Sequence, residues 1–428
     1  MRVLVIGNGA REHPLAWKLK QSPKVKEVYC APGNGGMGRV GTCVPIDASN
    51  IVELADFAEK LSIGLTVVGP ELALILGVVD EFEKRGLPIF GASRAAAEIE
   101  GSKAFSKRFM ETHAIPTARY SVCSSITEAE AKVKSGEFGY PVVLKADGLA
   151  GCKGVIIAAD EKEAHEGITR IMGERAFGNA GDRLVIEEFL VGEEVSFMVL
   201  ADGKRILPLA SAQDYKRVYD ADQGPNTGGM GSFSPSRLLN AESSRLIFEG
   251  VVQPTLKGLA DDGRRFTGVL YVGIMLTTQG PKVLEFNARL GDPETQSIIA
   301  RLDTDLAELL LAAVGGRLDQ VKISWRKEVS LSVVLASPGY PVAVKTGQLI
   351  EGLEEAEKVE GVTIFHAGTA LRDGKLYTSG GRVLTVTATA PSLAAARDQA
   401  YRAASLIRYE GMHYRKDIGA AYEAGPSA

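Results

Sequence analysis

Glu285 and Asn287 stand two residues apart in a run of alternating apolar character, Lys282 to Phe286 and onward. Side chains at i and i+2 of a strand share a face. The pair therefore presents two hard oxygen ligands to one point, the donor type that suits Mg²⁺ bridging nucleotide phosphates. Arg289 continues that face and suits an acyl phosphate or a carboxylate. A merely solvated polar strand face is the competing account. It weakens because Gly291, Asp292 and Glu294 follow at once.

A second constellation is Asp147-Gly148-Leu149-Ala150-Gly151-Cys152-Lys153-Gly154, just after Leu144-Lys145-Ala146. Gly148, Gly151 and Gly154 would let backbone N–H groups fold over phosphate oxygens. The loop lacks the spacing of a P-loop and lies between two strands rather than before a helix. Lys145, late in its strand, suits a point charge for phosphate. A lone strand lysine more often snorkels to solvent, so lysine and loop carry the reading only together. The third constellation is Gly7-Asn8-Gly9-Ala10-Arg11-Glu12 between the first strand and helix. A glycine turn there brings backbone N–H groups and a helix N-terminus to a phosphate. The third glycine of a dinucleotide fingerprint is missing, and Arg11 suits a terminal phosphate. Alone, this turn is as well explained by structure as by function.

Other groups are weaker. Asp214-Tyr215-Lys216-Arg217, ahead of the glycine-rich Gly224 to Gly231, reads in isolation as a solvated charge cluster beside a flexible loop. Glu187, Glu188, Glu193 and Glu194 are equally bland alone. The five histidines form no metal spacing; only His13 lies beside the candidate phosphate turn.

The elements that must position these groups fall into three textures. Up to about residue 101, short apolar runs (Arg2 to Ile6, Val25 to Ala31, Gly41 to Ile46, Leu65 to Val68, Pro88 to Phe90) alternate with helical stretches, one of them running from Glu71 to about Arg85. Continuous apolar strands between helices indicate a doubly wound parallel sheet, whose ligands bind beyond the strands' carboxyl ends. The middle region is α+β with hairpins around Asp202-Gly203 and between Gly268–Thr277 and Lys282–Phe286. It holds a long helix near Ala241 to Asp261 and a helix opened by Asp292-Pro293-Glu294. From about Trp325, strands at Val329, Val362 and Val383 precede a final helix.

Composition narrows the class. The chain has 428 residues, a prior of about three domains. With 49 basic and 53 acidic residues its net charge is −4, which argues against a generally basic nucleic-acid surface. The four cysteines are too scattered for a disulfide framework or thiolate zinc site, which suggests a reduced cytosol. No apolar run approaches the roughly 18 residues of a membrane span. The mild excess is glycine, with 48 residues, and many of these fall in the turns just described. A nicotinamide-dependent oxidoreductase is disfavoured because Cys30-Ala31-Pro32-Gly33, not an acidic ribose ligand, ends the second strand.

In this order the parts resemble the ATP-grasp superfamily and, within it, the glycinamide ribonucleotide synthetase family. The likeness rests on Val5 to His13, Pro32 to Gly38, Gly69-Pro70-Glu71, Gly101-Ser102-Lys103, Lys145 to Gly154, Glu187 to Ser196, Asp214 to Gly231, Glu285 to Gln296 and Ser379 to Val383. Arg289 to Gln296 is the most specific run. The resemblance implies an α/β and α+β multidomain enzyme: an N-terminal doubly wound domain (1–101), a two-lobed ATP-grasp core (102–324, lid lobe about 116–189) and a small C-terminal α+β domain (325–428). It implies ATP-dependent joining of 5-phosphoribosylamine and glycine through an acyl phosphate in purine biosynthesis. Another ATP-grasp carboxylate–amine ligase is the alternative, and a noncatalytic nucleotide sensor a more distant one.

The same resemblance implies the site. Gly9, Arg11, Asn34, Gly35, Gly36, Pro70, Glu71, Gly291 and Pro293 would meet the phosphoribosyl substrate and its surroundings. Lys103, Lys145, Gly148, Gly151 and Gly154 would hold ATP phosphates under a closing lid. Glu187, Glu188 and Leu190 would hold adenine, with Glu193 or Glu194 on the ribose. Arg289, Asp292, Lys216 and Asp214 would serve catalysis, Asp292 either orienting an amino group or merely capping a helix. The strand Gly268 to Met275 carries no carboxylate, which leaves Glu285 and Asn287 as the main protein ligands for Mg²⁺, or for Mn²⁺ in its place. Cys152 would be incidental. The implied setting is a cytoplasmic monomer with no nucleic-acid or membrane partner, in at most transient contact with the enzyme that supplies phosphoribosylamine.

Overall fold

The computed structural model describes residues 1–149, 151 and 154–422. Ala150, Cys152 and Lys153 of the glycine-rich loop, and the tail from residue 423, lie outside the described residues.

The first five strands, β1 (Arg2–Gly7), β2 (Glu27–Pro32), β3 (Thr42–Cys43), β4 (Leu65–Val68) and β5 (Ile89–Phe90), form one parallel sheet in the order β3-β2-β1-β4-β5. Side chains alternate between its two faces. Leu4 and Ile6 enter one core and Val3 and Val5 the other, so both faces are covered. The chain reverses direction across the sheet between β1 and β4. Such a switch point opens a crevice at the strands' carboxyl ends, here between Gly7–Arg11 and Gly69–Glu71. Helices α1 (Glu12–Lys20), α2 (Ile51–Lys60), α3 (Glu71–Leu76), α4 (Val78–Lys84) and α5 (Arg94–Gly101) complete this region. The sequence suggests one helix from Glu71 to Arg85; Gly77, at φ +92, splits it into α3 and α4. Only glycine takes that left-handed conformation cheaply.

After α6 (Lys103–Thr112) comes a small lobe. Its strands β6 (Tyr120–Cys123), β7 (Val142–Ala146), β8 (Val155–Ala158) and β9 (Leu184–Glu188) pair antiparallel in the order β6-β9-β7-β8, covered by α7 (Ile126–Lys134) and α8 (Glu161–Ile168). This lobe buries its own core around Leu144, Ile168 and Ile186. The glycine-rich loop joins β7 to β8.

The large lobe contains β10 (Glu193–Asp202) and β11 (Ile206–Pro208), then four short strands, β12 (Gln213–Asp214), β13 (Arg217–Tyr219), β14 (Gln223–Asn226) and β15 (Gly231–Ser234). Helices α9 (Ala241–Ile247) and α10 (Gln253–Asp261) follow, then β16 (Thr267–Thr277), β17 (Gly280–Asn287), α11 (Glu294–Arg301) and α12 (Leu306–Val314). Its main sheet runs β11-β10-β16-β17. The expected long helix is interrupted by a π segment, Phe248–Val252. Pro254 lies just beyond and offers no N–H for an ordinary i−4 bond.

The C-terminal sheet draws strands from two regions of the chain. Strands β18 (Val329–Ala336), β19 (Val362–His366) and β22 (Arg382–Ala390) are joined by β12 and β15 in the order β12-β15-β18-β22-β19. Two of its five strands thus come from the middle region. The remaining elements are α13 (Leu353–Ala356), the hairpin β20 (Thr369–Arg372)–β21 (Lys375–Thr378), and α14 (Leu393–Leu406). Every residue of α11 is buried, and its Ser297 hydroxyl meets those of Ser232 and Ser332, each at 2.8 Å.

Candidate functional site

At the switch point, Arg11 follows β1 and Glu71 opens the helix after β4. Arg11 Nη2 donates to Glu71 Oε2 at 3.1 Å. The same carboxylate lies 3.3 Å from Arg289 Nε, and Arg289 Nη2 lies 2.9 Å from Glu100 Oε1. Burial pushes the Glu71 carboxyl up, but Arg11 and Arg289 outweigh it and hold it down at about 2. The bridge therefore stays charged at neutral pH and is lost only as pH falls from the ordinary 4.5 toward about 2. One carboxylate so joins the N-terminal turn to the end of β17.

Glu12 is a participant that the sequence reading missed. It is 1% exposed and lies under the turn, where its Oε2 accepts the Gly9 N–H at 2.5 Å. The Gly9 amide, expected to face a phosphate, is given to this carboxylate instead. A side chain at Gly69 would collide with Glu12, which explains that glycine better than ligand approach does. Pro70 caps α3. Asn34, expected near the sugar, uses its amide to tie elements together. Its Nδ2 donates to the carbonyls of Asn8 (3.0 Å) and His366 (2.9 Å), and its Oδ1 accepts from the Gly36 amide (3.0 Å). Gly35 donates to the Thr369 carbonyl at 3.0 Å, and any side chain at Gly36 would strike the His366 ring. His13 completes this seam by accepting the His366 N–H at 2.8 Å.

The nucleotide-type groups line the gap between the lobes. Lys103 Nζ donates to the Gly148 carbonyl at 3.0 Å. Asp147 anchors the loop by accepting from Ser102 Oγ (2.9 Å) and the Ala104 N–H (3.0 Å) and pairing with Arg183 (2.7 Å). Gly148 (φ +148) and Gly151 (φ +55) adopt backbone conformations that favour glycine. Gly154 is buried, and its carbonyl accepts the Ala146 N–H at 2.8 Å. Lys145 is buried; its Nζ lies 3.0 Å from Glu187 Oε2 and donates to the Leu284 carbonyl at 3.1 Å. Lys107, which no sequence signal singled out, also reaches Glu187 Oε2 at 3.0 Å. Glu188 is held by Arg119 Nε at 2.7 Å, and its backbone N–H donates to the Arg119 carbonyl at 3.0 Å. Leu190 is buried and Glu193 exposed.

Glu285 and Asn287 share a face of β17, opposite Gly273 and Tyr271 of β16. Gly273 offers no side chain, so space remains over Glu285. Burial opposes ionisation of Glu285, but Lys216, Lys145, Lys103 and Arg289 together lower its pKa. Asn287 Oδ1 accepts from Arg289 Nη2 at 3.1 Å. Among the described residues no cluster of three His, Cys, Asp or Glu could cage a metal. Two hard donors, one of them ionised, instead fit a divalent ion whose other ligands are phosphate oxygens and water. Lys216 bridges the edge of this face, bonded to Glu194 and 3.9 Å from Glu285. The isolated reading of residues 214–217 as a solvated cluster therefore fails. Burial, with Glu294 beside it, pushes the Asp214 carboxyl well up. Glu294 itself accepts from Ser196 Oγ at 2.7 Å.

Asp292 does not cap α11, which begins after Pro293 with no side-chain cap bond. Its carboxylate instead receives Arg382, at 2.7 Å to Nη2 and 3.2 Å to Nη1, and the Gln296 amide at 3.0 Å. Arg382 Nη1 also donates to the Gly228 carbonyl at 2.5 Å. Gly291 has no room for a side chain against Glu294.

Two antiparallel lobes enclosing paired lysines, a glycine loop and a Glu-x-Asn strand, with a phosphate-type turn joined to them by an ion bridge, define an ATP-grasp ligase. Family models fit accordingly: phosphoribosylglycinamide synthetase N domain over residues 1–100, ATP-grasp (A) domain over 101–295, and C domain over 330–421. The phosphoribosylamine–glycine ligase of Pseudomonas aeruginosa is 51% identical over 98% of this chain and 97% of its own. That of Caldanaerobacter subterraneus is 47% identical over 99% and 100%. The crystal structure of the Thermotoga maritima phosphoribosylamine–glycine ligase superposes with a TM-score of 0.85, at 35% identity, covering 98% and 100% of the two chains. The chain belongs to the phosphoribosylglycinamide synthetase family.

Proposed function

We propose that this chain joins 5-phosphoribosylamine and glycine, with ATP, to give glycinamide ribonucleotide, ADP and phosphate. The observation that carries the reading is the Arg11–Glu71–Arg289 bridge. It sets a turn suited to a sugar phosphate beside a strand suited to nucleotide phosphates. ATP and a divalent metal ion are the expected cosubstrate and cofactor. We take the metal as Mg²⁺ or Mn²⁺ at Glu285 and Asn287, where it would neutralise phosphate charge during transfer. The chain would act as a cytoplasmic monomer; among the described residues no helix is long and apolar enough to cross a membrane.

A carboxylate is too poor an electrophile for an amine. Phosphorylating glycine gives an acyl phosphate that the ribosylamine attacks, with phosphate leaving. Two anions must first meet, so Lys103, Lys145 and Lys216 offset repulsion and Arg289 orients the glycine carboxylate. Residues 187–190 hold adenine, Glu187 through its backbone because its side chain is taken by Lys107 and Lys145. Glu194 is engaged by Lys216, which favours Glu193 for the ribose. Closure of the loop 147–154 would keep water from the acyl phosphate.

The test is ADP release with ATP, Mg²⁺ and glycine, with and without freshly generated phosphoribosylamine. Strict dependence on both substrates is expected; turnover with a different amine alone would assign the chain to another carboxylate–amine ligation. A second expected result separates the two ends of the site. Arg11→Ala raises the KM for phosphoribosylamine by about tenfold or more, the loss of a charge-assisted contact, and leaves ATP affinity within about twofold. Glu71 keeps Arg289 as a partner in that variant, so the junction survives. Collapse of ATP affinity instead would make the N-terminal turn a nucleotide site.

A further inference from the structure

Lys107 and Lys145 approach the same oxygen of Glu187, each at 3.0 Å. The three groups are buried, with side-chain exposures of 3% for Lys107, 9% for Lys145 and 2% for Glu187. Buried charges are costly unless paired. Two cations on one carboxylate leave one positive unit beyond what Glu187 balances, and burial lowers the Lys107 ammonium to about 8, which leaves it charged at neutral pH. Lys107 has further partners of its own: its Nζ donates to Thr117 Oγ1 at 2.8 Å and lies 5.7 Å from the Tyr120 ring centre. Thr117 in turn donates to the Val283 carbonyl at 2.7 Å, so Lys107 is fixed against β17. Lys145 is the partner on the cleft side, near enough to Glu285 to lower its pKa. The charge that Glu187 does not balance therefore faces Glu285 and the place where nucleotide phosphates and their metal ion are expected.

We propose that Lys107 is a positioning residue for nucleotide binding: by sharing Glu187, it keeps Lys145 from being neutralised in a one-to-one ion pair. This rests on the reading of Lys145 as a phosphate ligand. In this role Lys107 acts through Glu187 and Lys145 and not by contact with substrate. Without it, Glu187 would hold Lys145 in a closed pair, and phosphate would have to compete with a buried carboxylate for the ammonium. The alternative is that Lys107 only braces the small lobe against β17. That account predicts lower thermal stability without a selective change in nucleotide affinity, and it predicts no recovery when Glu187 is neutralised.

The experiment is calorimetric titration of the full chain with MgATP, without glycine or phosphoribosylamine, alongside thermal melting. Lys107→Met is expected to weaken binding by about tenfold, and the double variant Lys107→Met/Glu187→Gln to recover most of it, because Lys145 then again carries the one surplus charge. KM for phosphoribosylamine stays unchanged in both. Unaltered affinity in Lys107→Met, or a double variant as weak as the single one, overturns the charge-sharing role. Lys107→Gln, which keeps a hydrogen-bond donor for Glu187 and Thr117, carries the same test if the methionine variant does not fold. Lys145→Met separates the two levels of the argument. If it binds MgATP normally, the phosphate role of Lys145 fails; if it binds weakly while the double variant does not recover, only the role of Lys107 fails.

Discussion

Replacing Glu285 by glutamine is expected to lower turnover by on the order of 10²–10³-fold while the protein remains folded. The substitution is nearly isosteric, and the facing residue Gly273 leaves the side chain uncrowded. What changes is charge. Glu285 is the ionised member of a two-oxygen set, held so by Lys216, Lys145, Lys103 and Arg289. Glutamine keeps an oxygen but removes the anion that a hard divalent ion prefers. Lys216 retains Glu194, so no cation is stranded and the fold should hold. The same cations lose a competing carboxylate. Metal-free ATP should therefore bind at least as well as in the wild type, while the Mg²⁺ concentration for half-maximal rate rises. Turnover measured against Mg²⁺ concentration checks both. Near-normal rates at limiting Mg²⁺ would remove Glu285 from the metal site.

Features set by short-range periodicity were legible before the structure. The apolar runs of β1 and β4 announce strands covered on both faces. The two-residue spacing of Glu285 and Asn287 places them on one face because β17 pairs regularly with β16 from Gly273 back to Tyr271; the register shift falls beyond, between Gly273 and Ile274. Residues whose roles come from distant partners were not legible. Glu12 looks like any first-turn glutamate until the turn folds over it. Lys107 looks like a helix-surface lysine four positions after Lys103, and only the approach of β9 supplies Glu187. Asp214 and Lys216 look solvated in isolation, and only the family resemblance marks them, because a local charge cluster carries no sign of the sheet that β12 and β15 build with β18. The structural duties of the turn 34–36 were hidden for a related reason: glycines demanded by a domain seam and glycines demanded by a phosphate have the same local signature. The opening of α11 also misleads locally, because an aspartate before proline and glutamate resembles a helix cap, whereas its partner lies 90 residues away.

That partner makes Asp292 the second large effect. Asp292→Asn is expected to give a folded protein with ATP affinity within about twofold of wild type and kcat/KM for glycine and phosphoribosylamine lower by about 10²-fold. Asparagine caps a helix about as well as aspartate, and Asp292 makes no capping bond, so helix stability should change little. The loss comes from Arg382. Its guanidinium holds both Asp292 oxygens and the Gly228 carbonyl, so the pair pins the loop preceding β15 to the Gly291–Pro293 turn. With asparagine, the guanidinium keeps carbonyl partners but loses its counter-charge, and the loop beside Asp214 is released. Arg382→Met should then reproduce the defect. Because the two side chains act as one unit, the double variant should be no worse than the poorer single one. If Asp292 instead orients a substrate amino group directly, Asp292→Asn should be the more damaging change, it should raise the KM of the amine, and its effect should add to that of Arg382→Met. Wild-type kcat/KM for both substrates in the asparagine variant would reduce the Asp292–Arg382 pair to a structural contact.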